Sequence, residues 1–335
     1  MSENRKKILV IGPSWVGDMV MAQSLFMTLK EQQPKSHIDV LAPAWSFPLL
    51  DRMPEVTEAI EMPLTHGQFG WSLRKKIGKQ LQHKHYHQAI ILPNSWKSAL
   101  IPFFAKIPLR TGIIGEVRWG LLNDARQLNK QKLTMTVQRF VALALAKDQQ
   151  NLVYPKPVLE IKQLDQQAVI KQFNVDQSKK VVALCPGAEY GPAKQWPAQH
   201  YAELAKQKIS DGWAVWIFGS VKDQLVSEQI NQLTEHRCHD FSGKTSLAEA
   251  IDLMSLVDVV VSNDSGLMHV AAALNKKLVA IYGSSDPKFT PPLNEDANIL
   301  NLNLECAPCF KRECPFGHTH CLVNILPEKV LAEID

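Results

Sequence analysis

One stretch, VVVSNDSGLMHVAAALNKKLVAIYGSSDP at residues 259–287, restricts the fold of this chain more than any other. Three β-branched residues in a row, Val259, Val260 and Val261, predict a strand buried on both faces, as in a parallel sheet. Asn263, Asp264 and Ser265 follow at once, residue types that favour helix N-caps. Gly266 then lets a ligand approach the backbone closely, ahead of a helix predicted over 267–274. A strand running straight into a helix aims free N–H groups and the positive dipole end at one point, which suits a phosphate. His269, four residues after Ser265, lies one turn further along the same face. A second strand, predicted over 277–282, ends in the polar turn Gly283-Ser284-Ser285-Asp286-Pro287 at the same sheet edge. The plainer account is a βα unit whose Asp and Ser merely cap a helix.

The same grammar recurs along the chain. Residues 7–11 predict a strand that empties into Gly12-Pro13-Ser14-Trp15-Val16-Gly17-Asp18 and then a helix over 19–32. The glycines lack the G-x-G-x-x-G spacing and no Gly-Lys-Ser/Thr follows, so neither a dinucleotide motif nor a P-loop is supported. Asp18 stands at the helix start, at the carboxyl edge where open α/β sheets bind ligands, although a carboxylate there often only caps. Strands over 37–42 and 88–92 follow, the second ending in Pro93-Asn94-Ser95-Trp96-Lys97-Ser98. A strand over 109–113 carries Arg110, and helices are expected over 73–81 and 135–146. Residues 151–177, with two prolines and mixed polarity, read as a connection.

The second half begins with a strand over 181–184 and a long loop, 186–197, that holds Gly187 and Lys194. A helix over 198–210, a strand over 213–218 ending in Gly219-Ser220, and a helix over 246–254 complete the pattern. Strands alternating with helices in both halves predict an α/β chain of two Rossmann-like, doubly wound parallel-sheet domains, 1–160 and 178–335, facing across a cleft.

Composition narrows the class further. A hydrophobic share of 45% and a charged share of 21% match a soluble globular protein. No apolar run approaches the ~18 residues that span a bilayer. The apolar segment at 8–11 is too short for a signal-peptide core, so a cytoplasmic chain with reduced cysteines is expected. The net charge of +4 hides an asymmetry: residues 1–160 hold 21 Lys and Arg against 12 Asp and Glu, whereas residues 161–335 hold 16 against 21. Between 62 and 118 stand nine Lys and Arg and one acid, Glu116. That band suggests an anionic partner for the first half.

The tail differs. Cys306, Cys309, Cys314 and Cys321, with His318 and His320 among them, have spacing suggestive of a structural zinc site. Reduced thiols packed as small hydrophobes are the alternative, and Cys185 and Cys238, in strand-like runs, read as core.

Several blocks together resemble the lipopolysaccharide heptosyltransferases, most closely their heptosyltransferase II branch. They are ILVIGPSWVGDMVMAQSL, PAWSFPLLDRMPEV, LPNSWKSALIPFFAKIPLRTG and GLLND in the first half, and CPGAEYGPAKQWPAQHYAELA, SNDSGLMHVAAALNKKLVAIYG and FTPPL in the second. The resemblance covers most of residues 7–293 and leaves the cysteine tail outside it. It implies a GT-B fold, the acceptor on the first domain and ADP-heptose on the second. It implies inverting transfer of L-glycero-D-manno-heptose onto the first heptose of the inner core. Asp18 falls at the family's general-base position, and Lys194 at the lysine that contacts the donor diphosphate. Gly187, Gly219, Ser220, Asp264, Ser265, Gly266 and His269 become donor-site residues; Trp15, Asn94, Ser95, Lys97, Arg110 and Arg118 become acceptor-site residues. The family's acidic ribose ligand has no clean match: Val221 stands at the nearest position and Asp223 close by. No catalytic cofactor and no nucleic acid are implied. The acceptor would be lipid A-linked and met at the cytoplasmic face of the inner membrane, with the enzyme peripheral to it. Two rival readings are a nucleotide-sugar epimerase of the same architecture and a non-catalytic anion- or nucleic-acid-binding protein. The basic first half counts against the epimerase, and the band carries no recognisable nucleic-acid motif against the other.

Overall fold

A computed structural model describes residues 5–64, 67–147, 149 and 152–334. The chain divides into two compact units, Met1–Pro157 and Val158–Asp335. In the first, strands β1 (Lys7–Ile11), β2 (His37–Ala42), β3 (Glu58–Glu61), β4 (Gln88–Ile91), β5 (Leu109–Ile113) and β6 (Asp124–Arg126) form one parallel sheet in the order β3-β2-β1-β4-β5-β6. In the second, β7 (Val181–Cys185), β8 (Ala214–Ile217), β9 (His239–Asp240), β10 (Val259–Asn263), β11 (Lys277–Ile281) and β12 (Ala297–Leu300) run parallel as β12-β11-β10-β7-β8-β9. Counted from its own first strand, each sheet has the same doubly wound order. Each therefore has a switch point, between β1 and β4 and between β7 and β10, where the loops beyond the strand ends diverge and leave room for a ligand.

The apolar runs explain the central strands. All five residues of β7 and of β10 are buried, as are the last four of β1, because helices cover both faces of a parallel sheet. The helix Val16–Gln32 is buried almost all round, with Met19, Val20, Met21, Leu25, Phe26 and Leu29 in the core. That is why its sequence shows no amphipathic stripe. Among the described residues no helix is long and apolar enough to cross a membrane.

Four strands were not expected: β3, β6, β9 and β12. Each has two to four residues of mixed polarity and lies at or next to a sheet edge, where one face or flank is wet and no pattern is enforced. The helix expected over 135–146 is regular only from Thr136 to Val141. The expected connection over 151–177 contains a helix, Gln163–Gln172. Gln166 and Gln172 of that helix donate to Ser255 Oγ (2.8 Å) and Glu249 Oε1 (2.7 Å), so it belongs to the second unit. Asn151, at the start of that span, lies outside the described residues.

Candidate active site

In the second unit, β10 ends at Asn263 and the helix Gly266–Ala273 begins three residues later. Asn263 is fully buried and works as a bracket. Its Oδ1 accepts from Trp196 N (3.0 Å) and the Tyr201 hydroxyl (3.1 Å), and its Nδ2 donates to Pro186 O (2.6 Å). The loop after β7 is thereby tied to the loop after β10 across the switch point. Lys194, in a short 3-10 turn, consequently reaches Asp264: its Nζ donates to Oδ2 and forms an ion pair whose carboxylate is 5% exposed. The same ammonium sits 5.2 Å from the centre of the Tyr190 ring.

Ser265 occupies the N-cap position, yet its side chain makes no capping bond. Its Oγ lies 3.2 Å from Ser262 Oγ. The simple capping account of Asp264 and Ser265 therefore fails here: one pairs with a lysine, and the other leaves the helix start without a side-chain cap. An uncapped helix start beside a lysine is an anion site by geometry and by charge. His269 lies one turn in and is 5% exposed. Burial, opposed by the Asp264 carboxylate and reinforced by the Lys194 charge, lowers its pKa to about 4. It is a neutral imidazole at physiological pH, a hydrogen-bonding group and not the cation that its place beside a phosphate site suggests.

Gly187 and Gly219 leave space that another part of the protein takes up. A Cβ on Gly187 would meet the Asp223 carboxylate at 2.4–2.6 Å, and one on Gly219 would meet Asp223 Cβ at 2.8 Å. Asp223 Oδ2 accepts from Ser220 N (2.8 Å) and Ser220 Oγ (2.7 Å), so Ser220 holds the carboxylate at the sheet edge. Val221, the position nearest the family's acidic residue, is 68% exposed. Sequence reasoning left Asp223 as a bare neighbour because only the turn shows which way its carboxylate is held. Ser284 and Ser285, named from the sequence only as part of a polar turn, have buried hydroxyls with no hydrogen-bond partner. A polar turn after β11, next to β10, was the available signal.

The cysteine tail folds back onto the lysine loop. Ala193 N donates to Arg312 O (3.0 Å), the Tyr190 hydroxyl to Phe310 O (2.8 Å), and Phe310 N to Ser284 O (2.7 Å). Gly191 has φ +152°, and a Cβ there would stand 2.5 Å from Arg312 O. The four thiols of the tail lie within electrostatic reach of one another: burial first, then the charges of Cys306, Cys309 and Cys314, push the Cys321 thiol up. Among the described residues no group of three or more His, Cys, Asp or Glu side chains is set to hold a metal ion. Backbone N–H groups, that of Thr319 foremost, hold the Cys314 thiol below its usual range.

In the first unit, Asp18 is half-buried in the first turn of the helix that follows β1. Trp15, the N-cap residue, is 44% exposed and makes no side-chain cap. After β4, Asn94 is exposed, and its carbonyl accepts from Glu116 N (3.3 Å). Ser95 precedes the turn Trp96–Ala99, where Glu116, the one acid of the basic band, accepts from Trp96 N (2.6 Å). Lys97 reaches Gln68 O at 3.4 Å.

The arginines of the band bond to backbone carbonyls. Arg118 is 4% exposed and donates to Pro93 O (2.9 Å) and Ile113 O. Arg110 donates to Leu121 O (2.6 Å) and Ile107 O (2.7 Å). Arg74, 5% exposed, donates to Phe69 O (2.7 Å) and Lys97 O (3.1 Å). These guanidinium groups satisfy backbone carbonyls and brace loops, a use the fork of five donors suits.

Two Rossmann-like sheets of identical order, the second with an uncapped helix start beside a lysine at its switch point, are the architecture of the GT-B-type enzymes. The chain belongs to glycosyltransferase family 9, the heptosyltransferases, whose profile matches residues 74–320. It is 48% identical to lipopolysaccharide heptosyltransferase 2 of Escherichia coli K12, over 98% of this chain and 97% of that one. It is 47% identical to lipooligosaccharide heptosyltransferase 2 of Haemophilus influenzae, over 98% of each. Among solved structures it superposes on the ADP-heptose LPS heptosyltransferase II of E. coli with a TM-score of 0.87 and 45% identity, over 98% of this chain and 97% of that one.

Proposed function

We propose that this enzyme moves L-glycero-D-manno-heptose from ADP-heptose onto the first heptose of the lipopolysaccharide inner core, with inversion at the transferred carbon. The observation that carries the reading is Lys194 closed on Asp264 beside a helix start with no side-chain cap. A diphosphate enters such a site by sharing the ammonium and taking the free N–H groups of the first turn. Glycosyl transfer builds positive charge on the sugar while the departing diphosphate gains negative charge. Lys194 and the helix start meet that charge in place, and neutral His269 donates a hydrogen bond beside them. Ser284 and Ser285 offer their unpartnered hydroxyls to the donor, and Asp223 offers its carboxylate to the ribose hydroxyls.

Asp18 takes the proton of the attacking hydroxyl, since transfer needs a carboxylate within hydrogen-bond reach of it. Trp15, Asn94, Ser95 and Lys97 surround the acceptor on the first unit. The acceptor is lipid A-linked, so the enzyme works at the cytoplasmic membrane face as a peripheral protein. No cofactor takes part, because the chain's own lysine and helix start meet the diphosphate charge. The near-full-length likeness to proteins named heptosyltransferase 2 supports the choice of sugar and acceptor.

Coupled release tests the reading. ADP should appear from ADP-heptose only when a once-heptosylated acceptor is present, at the same rate with or without a chelator. ADP release without acceptor, or epimerised donor as the product, would overturn it.

A further inference from the structure

The first unit presents an aromatic surface that begins beside the acceptor residues Ser95 and Lys97. The rings of Phe69, Trp71 and Trp96 stack as one layer, with centroids 5.7–6.3 Å apart and planes within 12–25° of each other. Phe104 meets Trp71 edge-on at 5.2 Å and Phe103 lies beside it, with the Arg110 guanidinium 5.7 Å above the Phe103 ring. Phe69 is 47% exposed and Trp71 and Phe103 are each 43% exposed. Rings that large are seldom left together in water without a partner. The layer is held in advance: Arg74 bonds Phe69 O and Lys97 O from beneath.

The charge around this layer is positive except for Glu116, whose carboxylate accepts from Trp96 N. Trp71, Lys75 and Lys79 succeed one another at four-residue steps on the helix Trp71–Leu81, so an aromatic and two cations share one exposed face. Lys76 and Lys106 are exposed as well. From residue 62 to residue 115 there is no Asp or Glu. A second copy of the chain would bring like charges together over the rings. A surface of anionic lipid offers the complement to both parts: aromatic rings settle at headgroup level, and lysines are drawn to the negative leaflet.

We propose that the face built from Phe69, Trp71, Phe103, Lys75 and Lys79 docks this enzyme on an anionic bilayer. The inference rests on the reading of a membrane-linked acceptor, and it says which side of the first unit meets the membrane. Docking replaces a search in three dimensions by one along the surface where the acceptor resides.

Vesicle flotation of the full chain tests it. The wild type should float with phosphatidylglycerol vesicles and not with phosphatidylcholine alone, with retention that falls as salt rises. Trp71→Ala with Phe103→Ala should weaken the partition about tenfold. Lys75→Gln with Lys79→Gln should weaken it about 30-fold. Both variants should melt like the wild type and should turn over a deacylated, water-soluble acceptor at the wild-type rate, while losing turnover of the lipid-linked acceptor in vesicles. Variants that float like the wild type would overturn the proposal. So would wild-type dimers that these substitutions dissolve, or RNA retention lost in the variants while vesicle binding persists. A wild type that floats as expected but transfers heptose to neither acceptor would sink the functional reading and leave the docking face standing.

Discussion

The two units share a strand order and differ in what stands at the switch point. In the first, the chain leaves β1 through a short loop and enters a 17-residue helix within four residues, placing one carboxylate, Asp18, in the first turn. In the second, the chain leaves β7 into a twelve-residue excursion, 186–197, before its helix begins at Ala198. The longer loop can bring a cation back across the strand ends, and Lys194 thereby reaches Asp264 on the neighbouring βα turn. The sheet decides where a ligand can bind; loop length and a single charged residue decide which kind. The arginines sharpen the contrast. The first unit has the greater positive charge, yet Arg74, Arg110 and Arg118 are taken up by backbone carbonyls, whereas the acidic second unit holds its lysine at the strand ends.

The comparison breaks most readily at Asp18. Asp18→Asn keeps the shape and removes the base, so kcat should fall by ~10²–10⁴ while ADP affinity, measured calorimetrically, stays put. Near-normal turnover would leave the first unit's carboxylate with no more than a helix-dipole role.

Next in size is His269. Its folded pKa of about 4 lies below the ordinary 6.5. Between those values the unfolded chain binds a proton that the folded chain refuses, so stability is complete above pH 6.5 and declines as pH falls toward 4. The window corresponds to about 3 kcal/mol. Denaturant melts from pH 7 to pH 4 should show that decline in the wild type and a flatter one in His269→Gln. Equal slopes would show that the imidazole is no more buried in effect than a surface one.

Lys194→Gln should weaken ADP binding by ~1.5–3 kcal/mol, since a charge-assisted contact becomes a neutral one. Titration calorimetry gives the answer directly, and unchanged affinity would remove the cation from the second unit's site. Arg118→Met tests the other side: melts should show a loss of ~1–3 kcal/mol from stranded carbonyls, with an unaltered acceptor KM. A raised KM without loss of stability would return Arg118 to the acceptor site. The smallest effect concerns Ser284→Ala and Ser285→Ala. Removing an unpartnered buried hydroxyl should leave the free protein's melting point unchanged or slightly higher, while donor affinity drops by ~1 kcal/mol. A lower melting point with normal affinity would make the two hydroxyls part of the scaffold only.

Much of this was legible in the residues. Buried central strands announce themselves as unbroken apolar runs, because both faces are dry and every position is under the same constraint. β1, β7 and β10 were read that way, along with the polar loops that follow them. Short edge strands such as Asp124–Arg126 and His239–Asp240 left no trace, since two or three residues with one wet flank need no pattern. Lys194 and Asp264 were both singled out, but 70 residues separate them, and no local signal tells that they pair. Asp223 was seen and not placed, because a turn of three residues sets the direction of its carboxylate.

By itself the sequence determined the alternation of strand and helix, the two-domain class and the stretches where chemistry gathers, all properties of local pattern and burial. Only the tertiary structure decided which charged groups bond to backbone carbonyls and which meet a carboxylate at a helix start. Arg118 and Lys194 are both cations in loops beyond strand ends. The carbonyls of Pro93 and Ile113 take the two terminal nitrogens of the first, whose Nε is buried without a partner. The second meets a lone carboxylate at an uncapped helix start. That difference lies in backbone brought from distant parts of the chain, and its physical cause is hydrogen-bond satisfaction: a buried guanidinium goes where orphaned carbonyls are, and an ammonium beside free N–H groups still has an anion to hold.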